Sequence, residues 1–379
     1  MSQSIAIIGG GIIGTCTAYY LSRHPKIGAT KIHLFEGSSI AAGASGKAGG
    51  FLAKDWHNAC TASLTKMSFD LHQQLSDEFG GESKWSYRRL TTMNVEIDSK
   101  RGRTKQVPEA GEWLKSVTKC SLAGTTDTTA QVTPGSFTAA LAETAKEKGV
   151  QISIATVTEL HDRGDGTREV VAVDDNGGMI TFIATDVVFA AGPWTGRLAK
   201  QLLGDKAGPA ADVQPSNCSN SIIIRPSPGS APISGHALFT VLKLPSGVFG
   251  EPEVYPRPDG TVYICGGGSS SDDPLPEKCK QVKATDELVQ KLKNYASFVS
   301  PDFLDVDKKK ATLEATQACY RPNSGKTGNP IIGKFGEGLW IASGHQVWGI
   351  NNGPGTGKVL AELMLDGKAI SADISALMP

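Results

Sequence analysis

The sequence lacks the cysteine patterns, the charge excess and the long apolar runs that mark several protein classes. Its seven cysteines are scattered and form no CxxC pair, so we expect no disulfide framework, no metal site and a reducing compartment, the cytoplasm. Basic and acidic residues number 38 each, and a formal net charge of zero indicates no nucleic-acid partner. The apolar run Ile5–Ile8 has no basic stretch before it and is too short for a signal peptide or a membrane span.

Glycine, by contrast, is abundant, with 44 residues in a chain of 379. Many of these glycines fall in short clusters, which suggests loops where the backbone approaches a ligand. The length of the chain suggests two domains, or one large α/β domain with an insertion.

The first glycine cluster lies in a complete strand–turn–helix–strand pattern. Residues 4–8 (SIAII) read as a buried strand, Gly9–Gly14 matches GxGxxG, and a helix and a second strand at 31–35 follow before Glu36. In this pattern Gly9 allows a tight turn, Gly11 lets the backbone approach a pyrophosphate, and Gly14 allows close helix packing. Such a helix start, with Ile12 and Ile13, offers free N–H groups to phosphates, and Glu36 can bind a ribose diol. The pattern predicts dinucleotide binding; the alternative is a glycine-rich turn in an unrelated α/β domain.

Two further glycine clusters favour FAD over NAD. Ala41–Gly50 follows Glu36 almost at once, and Gly353–Gly357 follows a predicted strand at 339–342. A second loop this early suggests a longer cofactor with a flavin ring. We predict that a helix begins after the third cluster, with its N-terminus directed at the flavin. A Walker A motif is excluded there, because Asn352 and Val359 occupy positions that require Gly and Ser or Thr.

These segments together resemble a known family. IAIIGGGIIG, FEGSSIAAGASGKAGG, VVFAAGPWTG and RPNSGKTGNPIIG…GHQVWGINNGPGTG look like the D-amino-acid oxidase superfamily, and they are most similar to its glycine oxidase, sarcosine oxidase and D-amino-acid dehydrogenase branch. The run from Ser45 to Trp56 is also similar to a group of fungal FAD-dependent oxidoreductases. The motifs extend from residue 5 to about 365, so the resemblance covers nearly the whole chain.

The resemblance implies an α/β fold with a Rossmann-like FAD-binding domain and an α+β substrate domain built on an antiparallel sheet. We expect the FAD-binding domain to be discontinuous, at 1–85, 133–215 and 320–379. The substrate domain is expected at 86–132 and 216–319.

The resemblance also implies the residues of the site. Arg321 would hold a substrate carboxylate, although an ion pair with a surface acid is the alternative. Cys319 lies near the position where related oxidases link the flavin covalently, or it is a small buried residue. His345 and Lys47 would act beside the flavin, and Tyr255 and Trp348 would form the pocket wall, unless these side chains belong to the core.

The expected FAD-binding set joins the three glycine clusters, the strand end at 190–194, and Val157, whose alternative is a core position. Its members are Gly9, Gly11, Ile12, Ile13, Gly14, Glu36, Gly37, Ser38, Ala44, Ser45, Gly46, Lys47, Ala48, Gly49, Gly50, Val157, Ala190, Ala191, Gly192, Trp194, Arg321, Gly344, His345, Gly349, Asn352, Gly353, Pro354, Gly355 and Thr356.

The function that this implies is FAD-dependent oxidation of the C–N bond of an amino acid or related amine to an imine. Oxygen is the expected acceptor, giving hydrogen peroxide. Two alternatives stay open: a dehydrogenase of the same fold that passes electrons to a quinone or carrier, and a flavin-binding regulatory protein with little turnover.

Overall fold

The computed structural model of the chain describes residues 3–98, 113–230, 233–245, 247–270 and 274–379. The expected substrate segment 86–132 therefore contains residues 99–112, which lie outside the described residues. The same holds for 231–232, 246 and 271–273 in the segment 216–319, and for the first two residues of the chain.

Eight α-helices are found in this part of the chain. They are α1 (Ile12–Ser22), α2 (Ala44–Lys47), α3 (Ala62–Phe79), α4 (Gly81–Trp85), α5 (Pro134–Glu147), α6 (Thr195–Leu203), α7 (Asp286–Val299) and α8 (Gly349–Asp366).

Twenty-two strands are found in the same described residues. They are β1 (Ser4–Ile8), β2 (Lys31–Glu36), β3 (Phe51–Ala53), β4 (Arg88–Arg89), β5 (Thr92–Asp98), β6 (Val117–Gly124), β7 (Thr129–Gln131), β8 (Gln151–Ile154), β9 (Thr156–Asp162), β10 (Arg168–Val173), β11 (Met179–Ala184), β12 (Asp186–Phe189), β13 (Val213–Pro215), β14 (Cys218–Pro226), β15 (Ala237–Lys243), β16 (Phe249–Gly250), β17 (Glu253–Pro256), β18 (Val262–Ser270), β19 (Ala311–Cys319), β20 (Pro322–Ser324), β21 (Ile331–Gly336) and β22 (Leu339–Ser343).

The first large sheet has six strands in the order β21-β22-β12-β1-β2-β8. All of its pairs are parallel except β21 with β22. Continuous apolar runs such as Ile5–Ile8 form the central strands, since a parallel sheet is buried on both faces. The strands predicted at 4–8, 31–35 and 339–342 are thereby confirmed. The carboxyl ends of β1, β2 and β12 meet at one edge, where a ligand of such a sheet binds.

Helix α8 begins earlier than the sequence predicts. It starts at Gly349 and runs for 18 residues, so Gly353–Gly357 is helical and is not a loop before the helix. Its close neighbours explain the glycines. A Cβ on Gly353 would lie 2.5 Å from Cγ1 of Ile12, and one on Gly357 would lie 2.4 Å from the backbone carbon of Cys16. The glycines therefore allow α8 to pack closely against α1.

Pro354 is accommodated inside α8 by two side chains of α3. A proline cannot donate to the carbonyl four residues earlier, and His72 Nε2 instead donates to the Ile350 oxygen at 3.0 Å. One turn along, the Ser68 hydroxyl accepts from Gly355 N at 2.9 Å and donates to Asn351 O at 2.7 Å. These bonds satisfy backbone groups that the irregular helix leaves without their usual partners.

The second large sheet has eight strands in the order β19-β14-β18-β17-β15-β5-β6, with β16 beside β15. Its pairs are antiparallel except β15 with β5, which run parallel. One face forms a hydrophobic core with α7 that includes Val254, Ile264 and Leu292. Because side chains alternate along a strand, Glu253 and Tyr255 lie on the opposite face of β17 from Val254.

Three small sheets complete the fold, with the orders β3-β7-β4, β13-β20 and β11-β10-β9. Within the described ranges, no helix combines the length and the apolar character that a membrane crossing needs.

Candidate active site

A cavity of about 930 Å³ is bounded by residues of both large sheets. On the side of the six-stranded sheet it is lined by the residues that follow β1, β2 and β12. On the side of the eight-stranded sheet it is lined by residues of β14, β17 and β18. A site between two sheets can bind one molecule through the first sheet and present a second molecule to it.

The first wall of the cavity is the turn between β1 and α1. Gly9 has φ +116, and a Cβ there would lie 2.4 Å from the oxygen of Ala190. Gly11 precedes the helix, and the Ile12 N–H donates to Ser45 Oγ at 2.9 Å. The N–H groups of Gly11 and Ile13, which both line the cavity, have no hydrogen-bond acceptor among the described groups. This turn therefore presents free donors at a helix N-terminus, an arrangement that suits a phosphate.

Glu36 lies at the end of β2 beside this turn. Its carboxylate accepts from Gly10 N at 2.8 Å and from Ser38 N at 2.9 Å, which holds it in position. Burial raises the pKa of the Glu36 carboxyl, while the hydrogen bonds from the backbone act in the opposite direction. Glu36 lines the cavity, where its oxygens can accept further hydrogen bonds.

Two cationic side chains that line the cavity have no partner among the described residues. Arg321 follows β19, and its backbone is held by Ser216, which donates its N–H to Arg321 O at 2.8 Å and accepts from Arg321 N through Oγ at 3.0 Å. Within the described residues, its guanidinium makes no hydrogen bond or ion pair. The Lys47 ammonium is likewise unpaired there, while Lys47 O accepts from Tyr263 Oη at 3.1 Å. The arrangement excludes the alternative of Arg321 paired with a surface acid of the described chain.

His345 is a buried, neutral histidine in the cavity wall. Burial lowers its pKa to about 3. Its Nε2 lies 2.9 Å from Oγ1 of Thr356, whereas Nδ1 is buried with no partner among the described groups. An unsatisfied buried nitrogen is costly, so a bound ligand that pairs with Nδ1 would be favoured.

Several aromatic rings line the cavity. Tyr255 is stacked between Tyr263, at 6.0 Å and 7°, and Phe51, at 5.7 Å and 11°. The Trp348 ring lies 4.2 Å from that of His57. Tyr255 and Trp348 both line the cavity.

Cys319 also lines the cavity and is a free thiol. Burial raises its pKa to about 11, against the opposing effect of the nearby Lys47 and Arg321 charges. The thiol is therefore protonated at neutral pH, in a form that is a poor nucleophile.

Most of the expected site residues line this one cavity. The exceptions are Gly14, Gly46, Gly344, Asn352, Gly353, Pro354, Gly355 and Thr356. A Cβ on Gly14 would lie 1.9 Å from the Gly9 oxygen, so Gly14 serves packing, as expected of the third glycine. Asn352–Thr356 are buried in α8, so their predicted direct contact with the cofactor is corrected: they hold α8 against α1 and α3, and Thr356 orients His345.

Several cavity residues of the eight-stranded sheet and its surroundings were not predicted from the sequence. Glu253 lines the cavity two positions before Tyr255, and a strand period of two would have placed both side chains on one face. Phe51 and Trp56 belong to the same quoted run as Lys47 but were not assigned to the wall. Phe239 and Cys279 had no sequence signal, because they are brought to the cavity from distant parts of the chain.

Comparison with known proteins identifies the family. A family model described as "FAD dependent oxidoreductase" (DAO) matches residues 4–363. The chain belongs to this family. Members of the DAO family use FAD as cofactor, and the protein is an FAD-dependent oxidoreductase.

Relatives of the DAO family match over the whole chain. A Schizosaccharomyces pombe protein described as an oxidoreductase is 34% identical over 395 residues, covering 100% of this chain and 98% of that protein. Glycine oxidase from Geobacillus kaustophilus has a similar structure, with a TM-score of 0.74 and 21% identity over 99% of this chain and 98% of that chain. L-proline dehydrogenase from P. horikoshii gives a TM-score of 0.73 and 18% identity over 100% and 97%. At these identities the two structures show a shared fold.

The cavity itself fits FAD on observations independent of the family. The free donors at the start of α1 suit the pyrophosphate, and the carboxylate of Glu36 suits a ribose. The unpartnered Nδ1 of His345 offers a polar contact to a further part of the same molecule.

Proposed function

We propose that the protein oxidises the C–N bond of an amino acid or related small amine to an imine, with oxygen as the acceptor. The observation that carries this proposal is the Arg321 guanidinium, which lines the cavity and has no partner in the described chain. An unpaired guanidinium in a cavity is suited to a carboxylate, which it binds through two parallel hydrogen bonds.

The protein's own residues would bind and orient the substrate. Arg321 holds the carboxylate and thereby limits the positions that the neighbouring Cα–H can take. The aromatic rings of Tyr255 and Trp348 exclude water from the reacting carbon. His345, neutral and buried, contributes a hydrogen bond without adding a charge. When bound, FAD would accept the two electrons that the amine loses.

We propose that FAD is held by residues of the segments 1–85, 133–215 and 320–379. The N–H groups at the start of α1 would bind the pyrophosphate, Glu36 the ribose diol, and Val157 would contact the adenine. Lys47, His345 and the residues 190–194 would contact the flavin part. The segments 86–132 and 216–319 would carry the substrate side of the cavity, including Tyr255.

Replacement of Arg321 by lysine tests the substrate role. Arg321→Lys keeps the charge but loses the two-point geometry, so kcat/KM should fall by about 30-fold or more, corresponding to about 2–5 kcal/mol. FAD content should stay unchanged. Benzoate should perturb the flavin absorbance spectrum of the parent and not that of the variant.

Arg225→Lys is the matched control, because Arg225 forms an exposed ion pair with Glu314 away from the cavity. The proposal fails if benzoate shifts the spectra of the parent and Arg321→Lys equally. Peroxide yield under air separates oxygen as the acceptor from a quinone or carrier protein. A turnover that needs an artificial acceptor would replace the oxidase assignment by a dehydrogenase.

We further propose that FAD is bound without a covalent link, since Cys319 is a protonated thiol. Acid precipitation of the holoprotein should leave the yellow colour in the supernatant. Colour that stays with the precipitate of the parent but not with that of Cys319→Ser would instead establish a link through Cys319.

A reducing compartment, the cytoplasm, is the location we propose. Within the described residues no cysteine is joined in a disulfide, which supports it. Fractionation of cells with an antibody to the chain tests this location.

A further inference from the structure

Glu253 is an acidic side chain in the cavity that the proposed reaction does not use. Its Oε2 accepts from Tyr255 Oη at 2.5 Å and lies 3.5 Å from Sγ of Cys265. No lysine, arginine or histidine of the described chain forms an ion pair with it. A carboxylate that lines a cavity with neutral partners alone favours a cation from a ligand.

Four aromatic side chains surround the same part of the cavity. Phe51 lies 5.2 Å from Trp56, 5.3 Å from Phe239 and 5.7 Å from Tyr255, measured between ring centroids. Trp56 and Phe239 are 5.1 Å apart. Phe239 is also the residue paired with Glu253 across the neighbouring strands β15 and β17. We call Phe51, Trp56, Phe239 and Tyr255 the aromatic cluster.

An aromatic cluster beside a carboxylate has a defined ligand preference. Ring faces attract organic cations such as alkylammonium groups, and the attraction grows where water is excluded. The carboxylate adds charge and a hydrogen-bond acceptor. A neutral or anionic group would leave the Glu253 charge uncompensated at this position.

Two side chains of opposite formal charge, Glu253 and Arg321, line the cavity. Cys265 contacts Glu253 on one side, and the Arg321 charge acts on the same thiol. A molecule with a carboxylate and an ammonium group can therefore meet both side chains at once.

We propose that Glu253 and the aromatic cluster form a binding site for an alkylammonium group of the substrate, opposite the carboxylate held by Arg321. This inference rests on the proposed function in taking the cavity to be a substrate site. The ammonium is either the amine that reacts or a second cationic group farther along the substrate. Glu253 binds and positions the substrate in both cases.

Choline and its uncharged carbon analogue 3,3-dimethyl-1-butanol are probes that separate charge from shape. Binding to the holoprotein is followed by the flavin absorbance spectrum and by tryptophan fluorescence, to which Trp56 contributes. Glu253→Gln keeps the size of the side chain and an acceptor for Tyr255. Choline affinity should fall by about tenfold or more in this variant, while that of the alcohol stays unchanged.

Glu251→Gln is the matched control, because it removes the same charge two residues away and Glu251 is exposed outside the cavity. Choline affinity should be that of the parent. Equal choline affinity in the parent and Glu253→Gln overturns the proposal. So does failure of choline to bind the parent.

Substrate kinetics identify the source of the ammonium group. If it is the reacting amine, Glu253→Gln raises KM for every amino acid oxidised. If it is a second cation, KM rises for diamino acids such as lysine and stays unchanged for alanine. Either pattern supports the site, whereas unchanged KM for both overturns it. Failure of the proposed function would appear separately, as loss of the Arg321-dependent benzoate shift with choline binding intact.

Discussion

Two glycine-rich segments of this chain look alike in sequence and do different work in the structure. Gly9–Gly14 forms a turn whose backbone lines the cavity, whereas Gly353–Gly357 lies inside α8 and does not reach it. At Gly11 the nearest atom to an added Cβ is the movable Ser45 hydroxyl, at 3.0 Å. At Gly357 it is the backbone of Cys16, at 2.4 Å.

The difference shows that glycine, which has no side chain, permits two kinds of close approach, one by a ligand and one by a neighbouring helix. At Gly11 in the first segment the free space belongs to a ligand, which the backbone N–H groups can contact. In the second it belongs to a neighbouring helix, which comes closer than a side chain would permit. The two segments also meet, because Gly353 packs on Ile12 in the first turn of α1. The second segment thus supports the helix whose start forms the first.

The largest effect, a loss of stability, is expected when a side chain is added in the second segment. Gly357→Val places a branched side chain against the Cys16 backbone, which cannot rotate away. The free energy of unfolding of the apoprotein should fall by about 3 kcal/mol or more, as measured by urea denaturation with circular dichroism. Gly349→Ala, in the same helix but with its nearest atom at 3.9 Å, is the control and should change stability by less than about 1 kcal/mol. A Gly357→Val protein that is as stable as the parent but has lost FAD would erase the distinction between the two segments.

The first segment should respond in the opposite way, with weaker cofactor binding and an unchanged fold. Glu36→Ala removes an acceptor that faces the cavity, so FAD affinity should fall by about 1.5–3 kcal/mol. Titration of apoprotein with FAD gives the dissociation constant, and circular dichroism checks the fold. Glu82→Ala, on an exposed acid of α4, should leave both unchanged. Unaltered FAD affinity in Glu36→Ala would mean that the ribose binds elsewhere.

A smaller loss of stability is expected when the hydrogen bonds between Ser68 of α3 and the backbone of α8 are removed. Ser68→Ala leaves Gly355 N and Asn351 O, both buried, without the hydroxyl that joins them. The free energy of unfolding should fall by about 1–2 kcal/mol, with FAD affinity retained. Ser76→Ala is the control on the same helix, because the Ser76 hydroxyl makes no hydrogen bond to a described group. Equal stabilities of the two variants would show that the α8 backbone is satisfied without Ser68.

Local sequence patterns were sufficient for strands β1, β2 and β22 of the six-stranded sheet and for the first wall of the cavity. Strand β1, the turn at Gly9–Gly14, the start of α1 and Glu36 are consecutive or nearly so. Their geometry follows from backbone rules that act over a few residues. The helix stripe of α8 and its end at Gly367, which has φ +79, were also readable for the same reason.

The start of α8 was predicted wrongly because glycine and proline are locally poor helix formers. Their cost is offset by groups distant in sequence: the backbone of Cys16, the Ser68 hydroxyl and the His72 ring. No rule restricted to residues 349–357 includes these partners.

The sequence by itself determined the family, the cofactor class and the strand–turn–helix unit that opens the chain, since each depends on residues close together or on motifs read as a set. The tertiary structure alone decided which side chains share the cavity. Glu253, Phe239, Phe51 and Trp56 become neighbours through the pairing of β17 with β15 and the position of β3. A binding site formed across two sheets depends on distances that chain separation does not encode, and a one-dimensional pattern therefore contains the site's residues without their arrangement.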